Sequence, residues 1–172
     1  MSIRTTLSGL TCLAVLCAAP IVWAASMNQA DQQFLAMAAK SDMTEAHEGQ
    51  MAENQAVRTD VRAMAKALVQ DHTQSYEELT ELATKAGVSI PKGINAGKDP
   101  AIRQLVRLKG ANFDRQFARE EIAAHRHAIA VFEREAAHGQ DPAVKAYASK
   151  MVPVLEKHLR LAEDCTKPAP HA

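Results

Sequence analysis

Three histidines and two glutamates sit where an amphipathic helix would normally place leucine. His72 lies in ALVQDHTQSYEEL, on the side of a helix that carries Leu68, Ser75 and Leu79. His125 follows Glu121 by four residues on the stripe of Phe113, Phe117, Ala128 and Phe132. His158 is in line with Met151, Leu155 and Leu161, and Glu45 with Phe34, Ala38, Ser41, Glu48 and Ala52. Turning a titratable group toward a core costs free energy unless it finds a partner there. Three imidazoles with one or more carboxylates suit zinc, copper or iron, which all accept nitrogen ligands. The same residues also suit a buried Glu–His hydrogen-bond network that fixes helix register with no metal. Spacing alone leaves both readings open.

Which elements would bring these residues together? Four long segments carry the helical period. The first starts at Asn28, a cap with Asp31 three residues on, and runs to about Ala56. The second runs from Thr59-Asp60 to Gly87. After the stretch VSIPKGINAGKDP comes a short amphipathic piece from Pro100 to Lys109. The third long helix begins after Gly110 and ends at His138-Gly139. Asp141-Pro142, a cap followed by proline at the first helical position, opens the fourth, which reaches Cys165. No glycine or proline separates the first two segments. A turn near Arg58 is expected, because one helix of about 60 residues is rare in a single domain.

These segments predict an all-α, ferritin-like four-helix bundle over residues 28–165, with a long connection that holds a short helix between helices two and three. A plain up-down-up-down bundle is the alternative. Pro153 should kink the fourth helix about one turn before His158. His72 and His125 both lie near the middle of their helices. Glu45 and His158 are offset by three or four residues, roughly 5–6 Å along the axis. Glu45, His72, Glu121, His125 and His158 are therefore expected in one mid-bundle cluster, with Glu121 assisting the other four. The Glu-x-x-His spacing of di-iron bundles is not found, so a nitrogen-rich mononuclear site fits better.

The first residues carry a different signal. Arg4 is the only charge before an apolar run from Leu7 to Trp23, which ends in small residues. This predicts a secretory signal over residues 1–24, too short and wrongly flanked for a membrane anchor, and hence a periplasmic or secreted protein. Cys12 and Cys17 follow Thr11 and Leu16, not the small residue a lipoprotein signal needs. Cleavage leaves about 150 residues, one ordinary domain, with Cys165 as the remaining thiol and no internal disulfide. Acidic and basic residues balance at 20 each, with no basic run, so nucleic acid and anionic membranes are poor partners. The tail 166–172 is expected to fray.

The same core residues carry a resemblance to a known family. Glu45 with Gly49 and Ala52 is followed by Val61-Arg62, Met64-Ala65, Leu68-Val69 and Asp71-His72. Further on come Gly110 to Asp114, His125, and Met151-Val-Pro153-Val-Leu155 leading to His158. From Asp31 to about Asp164 the chain resembles the bacterial exported family called domain of unknown function 4142. That resemblance implies a ferritin-like fold and export but no activity. Where the family pattern usually has an aliphatic residue before the glycine, this chain has Glu48, which either adds a carboxylate to the site or faces solvent.

Smaller signals complete the reading. Met43, His47 and Met51 recur at i, i+4, i+8 on the outer face of helix one, a spacing open to copper, to packing or to a homodimer or envelope-protein contact. Asp71 either supports a neighbouring ring or is solvated. Cys165 is expected to be an inert thiol, and His127, His138 and His171 to be exposed. Hydrolase, kinase and thiol-oxidoreductase readings lack their motifs. Two function classes remain: envelope metal handling or redox protection, and a non-catalytic envelope interaction module whose polar core is structural.

Overall fold

The computed structural model describes residues 27–168. The segment read as a secretory signal and the last four residues, His171 among them, lie outside these. Helix α1 spans Gln29–Gln55, α2 Thr59–Ala86, α3 Pro100–Leu105, α4 Gly110–His138 and α5 Pro142–Cys165. A 3₁₀ turn, Ala96–Lys98, precedes α3. No strand occurs among the described residues.

The helix ends follow local chemistry. The Asn28 side chain accepts from the Ala30 and Asp31 amides, and Asp141 caps α5 with Pro142 behind it. Gly87 closes α2 at φ 67°, a left-handed conformation that glycine adopts without strain. The expected turn near Arg58 is present. α3 stops at Leu105 and not at Lys109, because the amides of Arg107 and Leu108 bond back three residues in a tighter turn. α5 continues through Pro153 to Cys165.

Two apolar clusters mark the ends of the bundle and give its connectivity. One joins Phe34 and Leu35 of α1, Leu79 of α2, Phe132 of α4 and Val144 and Tyr147 of α5. The other joins Ala52, Val61, Phe113, Phe117 and Ala162 with Leu105 of α3. The start of α1 therefore lies level with the end of α2, the end of α4 and the start of α5. So α2 and α4 run parallel, and the connection between them returns along the bundle, as the long linker suggested. The up-down-up-down alternative is excluded.

Buried aspartates lock the two hairpins together reciprocally. Asp114, near the start of α4, accepts from the Val57 and Arg58 amides at 3.1 and 2.8 Å, holding the α1–α2 turn. Asp31, in the first turn of α1, accepts from the Gln140 and Asp141 amides at 3.2 and 2.6 Å, holding the α4–α5 turn. Asp31 thus caps the distant helix as well as lying beside its own cap. Gly49 sets the distance between α1 and α2: a Cβ there would meet Val69 Cγ2 at 2.8 Å and the Ala65 carbonyl at 3.0 Å. That close approach places the middle of α1 against His72.

Candidate metal centre

Between the two apolar ends lies a polar layer. His72, Glu121, His125 and His158 are each no more than 2% exposed, and Glu45 is 6% exposed. The three imidazoles form a triangle with ring centroids 5.2–5.8 Å apart. One ring nitrogen of each lies within 4.8 Å of the other two. Ligand atoms of Glu45, Glu121 and His125 form a second group of the same size, so His125 belongs to both. All five residues picked from sequence converge, drawn from four different helices.

Each ring is held from outside by an acceptor. His72 Nδ1 lies 2.9 Å from Asp42 Oδ1, and His158 Nε2 lies 2.9 Å from Asp71 Oδ2. His125 Nδ1 lies 2.9 Å from the main-chain oxygen of Glu121. Carbonyl and carboxylate oxygens accept, so these three ring nitrogens donate and carry the protons. His72 Nε2, His125 Nε2 and His158 Nδ1 are then lone pairs facing the interior. His125 Nε2 and His158 Nδ1 are 3.3 Å apart, and His72 Nε2 has no hydrogen-bond partner among the described residues. Three lone pairs this close together repel one another unless a metal cation or a proton sits among them. Metal-binding histidines are oriented in this way, with the outer nitrogen donating to a carboxylate or a carbonyl.

The electrostatics favour the neutral form at two of the three rings. Burial, with His72 and His125 nearby, pushes His158 down to about 4. Burial also lowers His125. For His72 burial opposes the charged form, but the bond to Asp42 and the charges of Glu45, Asp42 and Asp71 outweigh it, so its pKa is raised. His72 is thus the ring at which a proton competes most strongly with a metal.

The carboxylate side is built differently. Both Glu121 oxygens and Glu45 Oε2 lack hydrogen-bond partners among the described residues. Burial, with Glu45 beside it, raises the Glu121 carboxyl well above the usual range. Glu48 does not face solvent: it is 6% exposed, and burial with Glu45, Glu120 and Asp99 nearby pushes it up to about 8. It adds a carboxyl to this side of the layer.

Asp42 went unnoticed in the sequence. It is 3% exposed, binds His72, and accepts from Ser75 Oγ at 2.7 Å; Ser75 in turn bonds Tyr147 at 2.7 Å. An a/d stripe places Ser41 inward, yet Ser41 is half-buried and its neighbour is the core residue. The wider stripe of a globular helix would have included it, since Leu35, Ala39, Asp42 and Gly49 form the α2-facing half. Asp71 supports His158 and pairs with Lys157 at 3.0 Å, so it is a ring partner, not merely a solvated residue. Cys165 lies in the Phe113 end cluster, with its thiol pushed up to about 11 by burial, which makes it inert. Met43 and His47 are half-buried, and Met51 packs against that same end cluster. His127 and His138 are exposed.

Fold and site together define a helical bundle with a buried His/Glu centre suited to a transition metal. A family model described as domain of unknown function (DUF4142) matches residues 18–165, and the chain belongs to this family. No curated protein matches the sequence. Among solved structures, a DUF305 fragment from Deinococcus radiodurans is similar at 16% identity and TM-score 0.72, over 81% of this chain and 97% of that one. CopM in its Cu(I)-bound form is similar at 16% identity and TM-score 0.66, over 78% and 93%. Its Cu(II)-bound form gives 17% and 0.65 over the same shares. At these identities the likeness is one of fold.

Proposed function

We propose that this protein is an exported metal-binding protein of the cell envelope, in metal handling or redox protection. His72, His125 and His158 ligate a transition metal, Glu45 closes the coordination, and Glu121 assists. The observation that carries this reading is the convergence of three imidazole lone pairs, each fixed by an outer acceptor. Nitrogen-rich donors of this kind suit zinc, copper or iron and not the oxygen-seeking magnesium and calcium. Copper is the first ion to test, because structures of similar fold are described as CopM in Cu(I)- and Cu(II)-bound forms. Export is supported by the apolar leader-like start of the chain; no helix of the described residues is long and apolar enough to cross a membrane.

One observation favours a second reading. At 3.3 Å, a single proton shared between His125 Nε2 and His158 Nδ1 would hold that pair together without metal. The centre would then be a register device in a non-catalytic envelope interaction module. Elemental mass spectrometry on the mature chain, purified without chelator and beside His72→Ala, separates the two. Near-stoichiometric metal that is lost in the variant supports the metal centre. Less than about a tenth of an equivalent, even after exposure to zinc, copper and iron, leaves the structural reading.

A further inference from the structure

A centre whose ligands are this deeply buried raises the question of how an ion reaches it. Among the residues that hold the three rings, Asp42 and Glu121 have side chains only 4% and 1% exposed. Asp71 differs: its side chain is 22% exposed, and its Oδ2 touches both buried His158 and the surface ammonium of Lys157. Asp71 also lines a cavity of about 90 Å³ between α2 and α5, roomy enough for several waters. Ser75, one turn beyond His72 and hydrogen-bonded to Asp42, lines the same cavity, as does Met151. Val154 forms part of its wall, and its rim carries the Lys150–Glu78 ion pair at 2.5 Å. Four larger surface depressions, along α3, at the two ends of the bundle and between α1 and the 3₁₀ turn, are lined by none of the three histidines or their partners Asp42 and Asp71.

We propose that this α2–α5 groove is the portal of the metal centre and that Asp71 is a transit ligand for the incoming cation. The inference rests on the metal-centre reading. Lys157 and Lys150 are long, half-exposed side chains, so swinging either aside uncovers a carboxylate without disturbing the core. The cation meets Asp71 first, then Ser75 and Met151 inside the groove, and finally the lone pairs of the histidines. Pro153, one residue before Val154, cannot donate to the main chain of the preceding turn, which leaves α5 locally less tightly bonded beside the groove.

A portal residue changes the rates of entry and exit together and leaves the equilibrium alone, whereas a ligand changes the equilibrium. The test is stopped-flow uptake of Co²⁺, followed by its d–d absorption, with Kd measured by chelator competition. In Val154→Phe, which fills the groove, uptake and release are expected to slow together by about tenfold with Kd within about twofold. In Lys150→Glu, which exchanges a positive for a negative charge at the rim, uptake is expected to quicken about threefold or more at low salt, and the gain to fade at high salt. An unchanged uptake rate in a folded Val154→Phe, or in Lys150→Glu at low salt, overturns the portal alone. No uptake by the wild type at any concentration overturns the portal and the metal centre together.

Discussion

The three histidines and the three glutamates belong to one polar layer of the bundle, yet they are held in opposite ways. Each imidazole has an outer acceptor that fixes which nitrogen carries the proton, so its inner lone pair is aimed. Glu45, Glu48 and Glu121 each have a buried oxygen with no partner among the described residues, and burial raises Glu48 and Glu121 toward their neutral forms. On the metal-centre reading, the histidine side is preorganised for a borderline-soft cation that favours nitrogen ligands. The glutamate side is a reserve of carboxyls whose charge depends on what lies beside it. Buried polar groups therefore do not all mean the same thing.

The largest effect should come from the residue common to both groups. His125→Ala removes a ring nitrogen from the triad and a neighbour from the glutamates. Its metal affinity should fall by more than about 100-fold, beyond what loss of an outer partner costs. Isothermal titration of the apo variant checks this, and affinity within tenfold of wild type would detach His125 from the centre.

Next in size are the outer partners. Asp42→Asn and Asp71→Asn keep all three imidazoles but loosen the tautomers of His72 and His158, and each should weaken binding about 10–100-fold with stoichiometry unchanged. If both variants bind as the wild type does, the acceptors do not aim the rings. Replacing Glu48 should leave affinity closer to wild type, which sharpens the contrast between the two sides.

The glutamate side should show itself in pH dependence. A Glu48 carboxyl at about 8 in the fold, against an ordinary 4.5, binds its proton more tightly when folded. That stabilisation is complete below about pH 4.5 and is lost as pH rises through 8. Apo Glu48→Gln should therefore be about 1–3 kcal/mol more stable than wild type at pH 9 and nearly equal to it at pH 4. Urea unfolding at both pH values measures this; an equal gap at both would mean that Glu48 does not titrate in that window. The smallest effect belongs to the half-buried methionines of α1: Met43→Leu with Met51→Leu should leave metal content unchanged, and a lost equivalent would relocate the site.

Much of this centre was legible before any coordinates. Caps and glycines at Asn28, Gly87 and Asp141-Pro142 marked helix ends, because the chemistry of a cap is local. The five cluster residues were legible because helical period and helix length together fix both face and height. Asp42 was hidden because it sits on the flank of the α1 stripe that meets α2, and only the close α1–α2 approach at Gly49 brings it to His72. Asp71 and Asp114 owe their roles to partners 87 and 57 residues away. No local pattern encodes such pairings, which depend on how the two hairpins dock.

X-ray absorption at the metal edge of the copper- or zinc-loaded mature chain tests the central claim most directly. The account predicts three imidazole nitrogens at about 2.0–2.1 Å with an oxygen at similar distance, and loss of the imidazole scattering in His125→Ala. A first shell dominated by sulfur, or one with fewer than two imidazoles, would contradict it and move the metal away from the three converging rings.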